Sequence, residues 1–277
     1  MAPLESRRRL IVNADDFGRS HSINPAVIRA HREGILTSAS LMVNEPAAAE
    51  AVELARENPK LGVGLHLTLL CGRAALPPER IPDLAGAQGQ FGSNPVATGF
   101  HFFARPSLRN QLRAEIHAQF QRFHATGLPL DHVNGHLHFH LHPTVFAILM
   151  QDTEQLGIRH LRLTRDCFRM NAPLAGGRWL YRFSHSLIFN LLSARAGRAL
   201  RQRGIRHTRY VFGLLQDSRV DEAFILKLLP RLPDGDSELY SHPSLDDFRH
   251  EFDALVSPRV KALVKKLGIQ LIRYRDL

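Results

Sequence analysis

The sequence predicts an α/β fold, a distorted (β/α) barrel of seven to eight parallel strands. Three observations lead there. Short apolar runs of strand length alternate with longer helical runs throughout, the pattern of parallel strands covered by helices. The 277 residues suit one barrel domain, here 1–277. The residue types that carry chemistry recur late in separate strands, where a barrel gathers its site. A doubly wound open sheet is the competing arrangement. It lacks support after the first strand, because Asp15-Asp-Phe-Gly18 is the wrong chemistry for cradling a pyrophosphate.

The expected strands are 9–14, 36–44, 61–70, 131–136, 158–165, 209–215, 237–242 and 269–274. The expected helices are 22–33, 46–57, 107–126, 143–156, 179–203, 219–230 and 246–267, the last interrupted near Ser257-Pro258 because Pro tends to start a helix. Residues 71–106, rich in Pro and Gly, read as one long irregular segment. A loop of that length in a compact domain is usually functional or disordered. It follows the strand that carries His66, so we expect it to cover or line the site.

Hydrophobic residues make up 44% of the chain, enough for a large core. No apolar run reaches the ~18 residues of a membrane span. Met1–Arg9 has no apolar signal region, so a cytoplasmic location is expected. Cys71 and Cys167 suit a reducing compartment and make no metal-binding pattern. Thirty-six basic against 26 acidic residues give a formal charge of +10, and all but five of the basic residues are arginine. Such a balance attracts nucleic acid or an anionic membrane surface, although an arginine-rich proteome accounts for it equally well. No zinc-finger spacing or aromatic–basic RNA-binding pattern is present, so nucleic acid is not an expected partner.

The chemistry starts at Leu10-Ile-Val-Asn-Ala-Asp-Asp-Phe-Gly18. Asp15 and Asp16 sit side by side at the end of a buried strand, where two like charges repel and are costly to desolvate. A metal ion removes that cost, with one carboxylate as ligand and the other as base. The competing reading is a strand-to-helix turn with Asp16 or Ser20 as a cap. His66, in Gly62-Val-Gly-Leu-His66, is either a ligand or a hydrogen-bonded core residue. His136, His138, His140 and His142 alternate with Leu137, Phe139 and Leu141, so an extended chain puts four imidazoles on one face. A partly exposed polar face is the alternative. A hydrolytic zinc-type site needs three protein ligands and an open position, which Asp16, His66 and His136 would supply, leaving Asp15 as general base. His242, in Ser241-His-Pro243, offers a second acid/base or a structural histidine.

At these residues the sequence resembles the YdjC-like carbohydrate deacetylase family. The shared parts are Ile11-Val-Asn-Ala-Asp-Asp-Phe-Gly18, Thr37-Ser-Ala-Ser40 with Val43-Asn44, Gly64-Leu-His66, His132-Val-Asn-Gly-His136 with His138 and His140, and Ser241-His-Pro243. The resemblance implies a distorted barrel and one divalent metal ion, zinc or magnesium, held by Asp16, His66 and His136. It places Asp15 as base and His242 as the second catalytic group, and suggests a homodimer. Where the family usually has Asp-Ser-His-His-His-Val-His, this chain has Asn134-Gly-His-Leu-His-Phe-His140. That variant resembles the branch associated with hopanoid biosynthesis, which implies an N-acetylglucosamine-containing glycolipid as substrate. Soluble chitooligosaccharides are the alternative substrate, and metal-dependent phosphoester hydrolysis the alternative chemistry. A non-enzymatic binding module on a dead barrel is the remaining rival.

The segment 178–203 gives a separate hint of lipid. It mixes Trp179, Leu180, Tyr181, Phe183, Leu187, Ile188, Phe189, Leu191 and Leu192 with Arg178, Arg182, Arg195, Arg198, Arg201 and Arg203. An amphipathic helix of that composition lies on anionic membranes, giving a peripheral association with the inner membrane. Packing against the barrel is the competing explanation.

Overall fold

The computed structural model describes residues 8–174, 179–216 and 218–277. Residues 1–7 and Arg178 therefore lie outside the described residues, as does the side chain of Tyr181. Among the described residues seven strands form one parallel sheet: β1 (Arg8–Phe17), β2 (Ser38–Leu41), β3 (Gly62–Leu67), β4 (Val133–Gly135), β5 (Tyr210–Phe212), β6 (Gly235–Ser241) and β7 (Gln270–Leu271). The spatial order is β4-β3-β2-β1-β6-β5, with β7 added beside the start of β1. β1 is central and paired on both sides, so Leu10, Ile11 and Val12 are buried whichever way they point.

The curled sheet is a distorted half-barrel. The expected strand 158–165 is not a regular strand. It makes only isolated bridges, Val133↔Leu161 and His160↔Arg206, together with a bond from the Val211 N–H to the Arg165 carbonyl. A tight turn, in which the Arg165 N–H bonds the Leu163 carbonyl, breaks the ladder. The segment still links the β4 side of the sheet to the β5 side. Strands β2, β3, β4, β5 and β7 are shorter than expected, each losing residues at both ends.

The helices fall near their expected positions, including Ile23–Glu33, Ala48–Arg56, Arg109–Ala125 and Trp179–Gln202. The expected break near Ser257-Pro258 separates Arg249–Val256 from Pro258–Lys266. There the Ser257 hydroxyl accepts from the Arg259 and Val260 N–H groups while Pro258 opens the second helix.

The segment 71–106 is more ordered than its composition suggested. It contains the helix Pro95–Ala104, capped by the Asn94 side chain, which accepts from the Val96 and Ala97 N–H groups. The Asn94-Pro95 pair was the available signal for that start. The beginning of the segment is pinned by buried Glu115, which accepts from the Ala75 and Leu76 N–H groups at 2.7 and 2.9 Å. Among the described residues, no helix is long and apolar enough to cross a membrane.

Candidate metal centre and cavity

At the carboxyl end of β1 the register with β2 shifts between Ala14 and Phe17, a bulge in which Asp16 takes φ +63°. Successive residues of a regular strand face opposite ways. The bulge breaks that alternation and brings the neighbouring carboxylates of Asp15 and Asp16 to one end of the sheet. Gly18, at φ +90°, completes the turn; a Cβ there would lie 2.9 Å from Leu41 Cδ1.

The pairing registers then set the partners. His66 lies opposite Asn134 in the β3–β4 pair, and Ala14 opposite Ser241 in the β1–β6 pair, so Asp15 and His242 follow at adjacent strand ends. Asp16 Oδ1 lies 3.0 Å from His136 Nδ1 and 3.3 Å from His66 Nε2, and these two nitrogens are 3.4 Å apart. All three residues are buried. One carboxylate oxygen and two imidazole nitrogens within 4.8 Å of one another form a donor set that could hold a divalent cation. His66 Nδ1 sits 2.8 Å from the Asn134 side-chain oxygen. That oxygen only accepts, so Nδ1 carries the proton and Nε2 presents its lone pair to the cluster. The other Asp16 oxygen pairs with Arg19 at 2.7 Å.

Asp15 is held differently. Its carboxylate makes a bidentate pair with Arg162, at 2.7 and 2.9 Å, and also accepts from the Asn13 and Asn134 amides at 2.8 and 3.1 Å. Burial alone would raise its pKa; the Arg162 guanidinium overrides that and keeps the carboxyl well below the usual carboxylate range. Arg162 is itself fully buried. It also pairs with Glu238 at 2.6 Å and lies over the Tyr240 ring, and Tyr274 donates its hydroxyl to Glu238. The polar layer continues beneath the site through Ser40, which bonds Asn13, Asn134 and His132.

The His242 side chain is 25% exposed and lies 3.8 Å from fully buried Glu251, which also accepts the His242 backbone N–H. Burial alone would lower the His242 pKa; the Glu251 carboxylate, helped by Asp16 and Asp15, lifts it to about 9. His242 and Asp15 line one cavity of about 550 Å³ together with His66, His136, His138 and Tyr240.

The expected row of four imidazoles on one strand face is not formed. β4 ends at Gly135, and the chain enters a tight turn with Leu137 and His138 at φ +48° and +61°. Each histidine then goes its own way. His136 reaches Asp16. His138 bonds the Tyr240 hydroxyl at 3.0 Å. His140 bonds the Arg162 carbonyl at 2.9 Å, and burial pushes its pKa down to about 3, so it is a neutral structural residue. His142 bonds the Gly99 carbonyl and accepts from the Thr144 N–H. Alternation of residue type carried no information about a left-handed turn. Arg162, Glu238 and Glu251 were not singled out from the sequence, because a lone arginine or glutamate in an amphipathic run has no local mark of burial.

Among the described residues, this carboxylate–bis-imidazole cluster lies at the carboxyl ends of the parallel strands of a half-barrel. Comparison with known proteins identifies the family. Residues 9–266 match the model of the YdjC-like protein family, and the chain belongs to that family. A carbohydrate deacetylase of Brevibacillus brevis is 41% identical over 147 residues, which are 53% of this chain and 56% of that protein. A chitooligosaccharide deacetylase of Proteus mirabilis is 37% identical over 168 residues, 58% of this chain and 62% of that one. The chain thus spans somewhat over half the length of these relatives. An Enterococcus faecalis protein, named as a candidate for cellobiose-phosphate cleavage, shares the fold with a TM-score of 0.75 at 24% identity over 97% of this chain and 98% of that one.

Proposed function

We propose that this protein is a metal-dependent N-deacetylase acting on an N-acetylglucosamine-containing substrate. The observation that carries the reading is the three-donor centre of Asp16, His66 and His136, whose two histidines line the same cavity as Asp15 and His242. A divalent cation, zinc or magnesium, held by those three residues would polarise the acetamide carbonyl and acidify the attacking water. Asp15 is the base. Arg162 occupies both its oxygens, and Asn13 and Asn134 crowd Oδ1, so Oδ2 keeps the freer lone pair to take the proton. A carboxylate so strongly stabilised is a weak base, and it functions only against an acidified water. His242, kept protonated by Glu251, gives its proton to the leaving sugar amine, so the products are acetate and a free amine.

The substrate we infer is lipid-linked, of the hopanoid glycolipid kind implied by the Asn134-Gly-His-Leu variant. The support is the cavity's apolar wall of Val96, Leu137, Phe139, Ile188, Phe189 and Leu214, more than a sugar alone requires. A peripheral position at the inner membrane and a homodimer belong to the same reading. Soluble chitooligosaccharides are the second reading, favoured by the Proteus mirabilis relative's name.

The test is acetate release by zinc- or magnesium-loaded protein from an N-acetylglucosaminyl hopanoid and from chitooligosaccharides. Release from the lipid alone supports both chemistry and substrate; release from the sugars alone retains the chemistry and removes the lipid. No release from either, or hydrolysis of a phosphoester at more than one bound metal per chain, rejects the deacetylase.

A further inference from the structure

The mouth of the cavity is flanked by two helices whose outer faces are apolar. On one side the helix Pro95–Ala104 exposes Val96, Phe100 and Phe103, a stripe at i, i+4 and i+7. On the other, Trp179–Gln202 exposes Trp179, Leu180, Phe183, Leu187, Ile188 and Leu191, again at helical spacing, while Arg182, Ser186 and Ser193 turn inward. The inner ends of both stripes, Val96 and Ile188, line the cavity itself, and Leu137 stands exposed at the same opening. Phe100 is 70% exposed and Leu191 72%, so these side chains are not a partly covered core. Apolar side chains grouped this way mark an interaction surface.

The charge around the two stripes identifies the occupant. No Asp or Glu occurs between Asp83 and Glu115, or between Asp166 and Asp217, whereas these stretches carry three and nine arginines respectively. Exposed Arg105 and Arg109 follow the first stripe and exposed Arg195 and Arg198 follow the second, so a protein partner that buried this face would have to match apolar ground bordered by cations. An anionic bilayer offers both together, with acyl chains for the stripes and headgroups for the arginines.

We propose that the two helices form one docking surface for an anionic lipid bilayer, with the cavity opening onto the headgroup layer. This rests on the deacetylase reading only in taking that cavity as the active site. It assigns the helix Pro95–Ala104 a role equal to that of Trp179–Gln202. Its consequence for substrate class is that an amino sugar anchored by a lipid tail reaches the site without leaving the membrane.

Trp179 is the chain's single tryptophan and lies in the surface, so its emission reports docking directly. Full-length protein is titrated with vesicles of phosphatidylcholine, with and without phosphatidylglycerol, at low and high salt. The expected result is a blue shift on the anionic vesicles, weakened by salt and by removal of phosphatidylglycerol. The pairs Phe100→Ser/Phe103→Ser and Leu187→Ser/Leu191→Ser should each lower vesicle affinity by about 10-fold or more, from the apolar area withdrawn from the membrane. Neither pair should change turnover of a soluble chitooligosaccharide. No shift on anionic vesicles, unchanged affinity in either pair, or a concentration-dependent dimer that hides Trp179 overturns the proposal; the last would give the surface to a second copy of the chain. Vesicle binding without any deacetylation would instead reject the activity and leave the docking surface standing.

Discussion

Replacing Asp15 by Asn tests the chemistry and the buried charge network together. The substitution keeps size and shape but removes the charge that Arg162 grips with two bonds, at 2.7 and 2.9 Å. If the amide oxygen takes the place of Oδ1, where Asn13 and Asn134 also donate, the amide nitrogen faces Arg162 Nη1, donor against donor. One charge-assisted bond is lost, and Arg162 keeps only Glu238 as a charged partner, a cost of about 2–4 kcal/mol. For a domain of this size that corresponds to a fall in Tm of roughly 5–15 °C. The amide cannot accept the proton of the attacking water, so kcat should fall by about 10²- to 10⁴-fold. Metal binding at Asp16, His66 and His136 should survive. The assays are acetate release at saturating metal and substrate, thermal unfolding, and metal titration by calorimetry. Near-normal kcat with an intact metal site would falsify the assignment of Asp15 as base. Loss of metal binding would show that Asp15 belongs to the coordinating set.

Three further outcomes are expected. His242 must be protonated to donate, and its pKa lies near 9, so kcat should be retained below that value and fall as pH rises through it; a cation at the neighbouring centre moves this limb to lower pH, and a His242→Gln enzyme should be slow and lack it. Removing the metal with a chelator, or replacing His66 by Ala, should abolish turnover while leaving far-UV circular dichroism unchanged, and added zinc or magnesium should restore only the chelated wild-type protein. Asn134→Asp keeps an acceptor for His66 but withdraws the amide donor from Asp15 and Ser40 and sets a second carboxylate 3.1 Å from Asp15; thermal denaturation should register a loss of about 1–3 kcal/mol, and an unchanged Tm would mean that the amide does not brace Asp15.

Much of this protein is determined by the sequence alone. Apolar runs of strand length alternating with helical ones specify a parallel sheet, because a strand buried on both faces cannot alternate with polar residues. Ser257-Pro258 ends one helix and starts the next through local bonding, and it is legible for that reason. The adjacent carboxylates and the histidines of Gly64-Leu-His66 and Asn134-Gly-His136 were readable as candidates because their residue types are unusual where they stand. What the tertiary structure decided is how those side chains are aimed. The turn after β4 disperses the imidazoles that alternation places on one face, since Leu137 and His138 adopt left-handed backbone that no side-chain periodicity encodes. Arg162 reaches Asp15 across 147 positions of sequence, and Glu251 reaches His242, at the end of β6, from the helix Arg249–Val256. Their strength as partners comes from shared burial, a property of the packed fold rather than of any local stretch. The two exposed apolar stripes were likewise undecided until the fold showed which face of each helix it left uncovered.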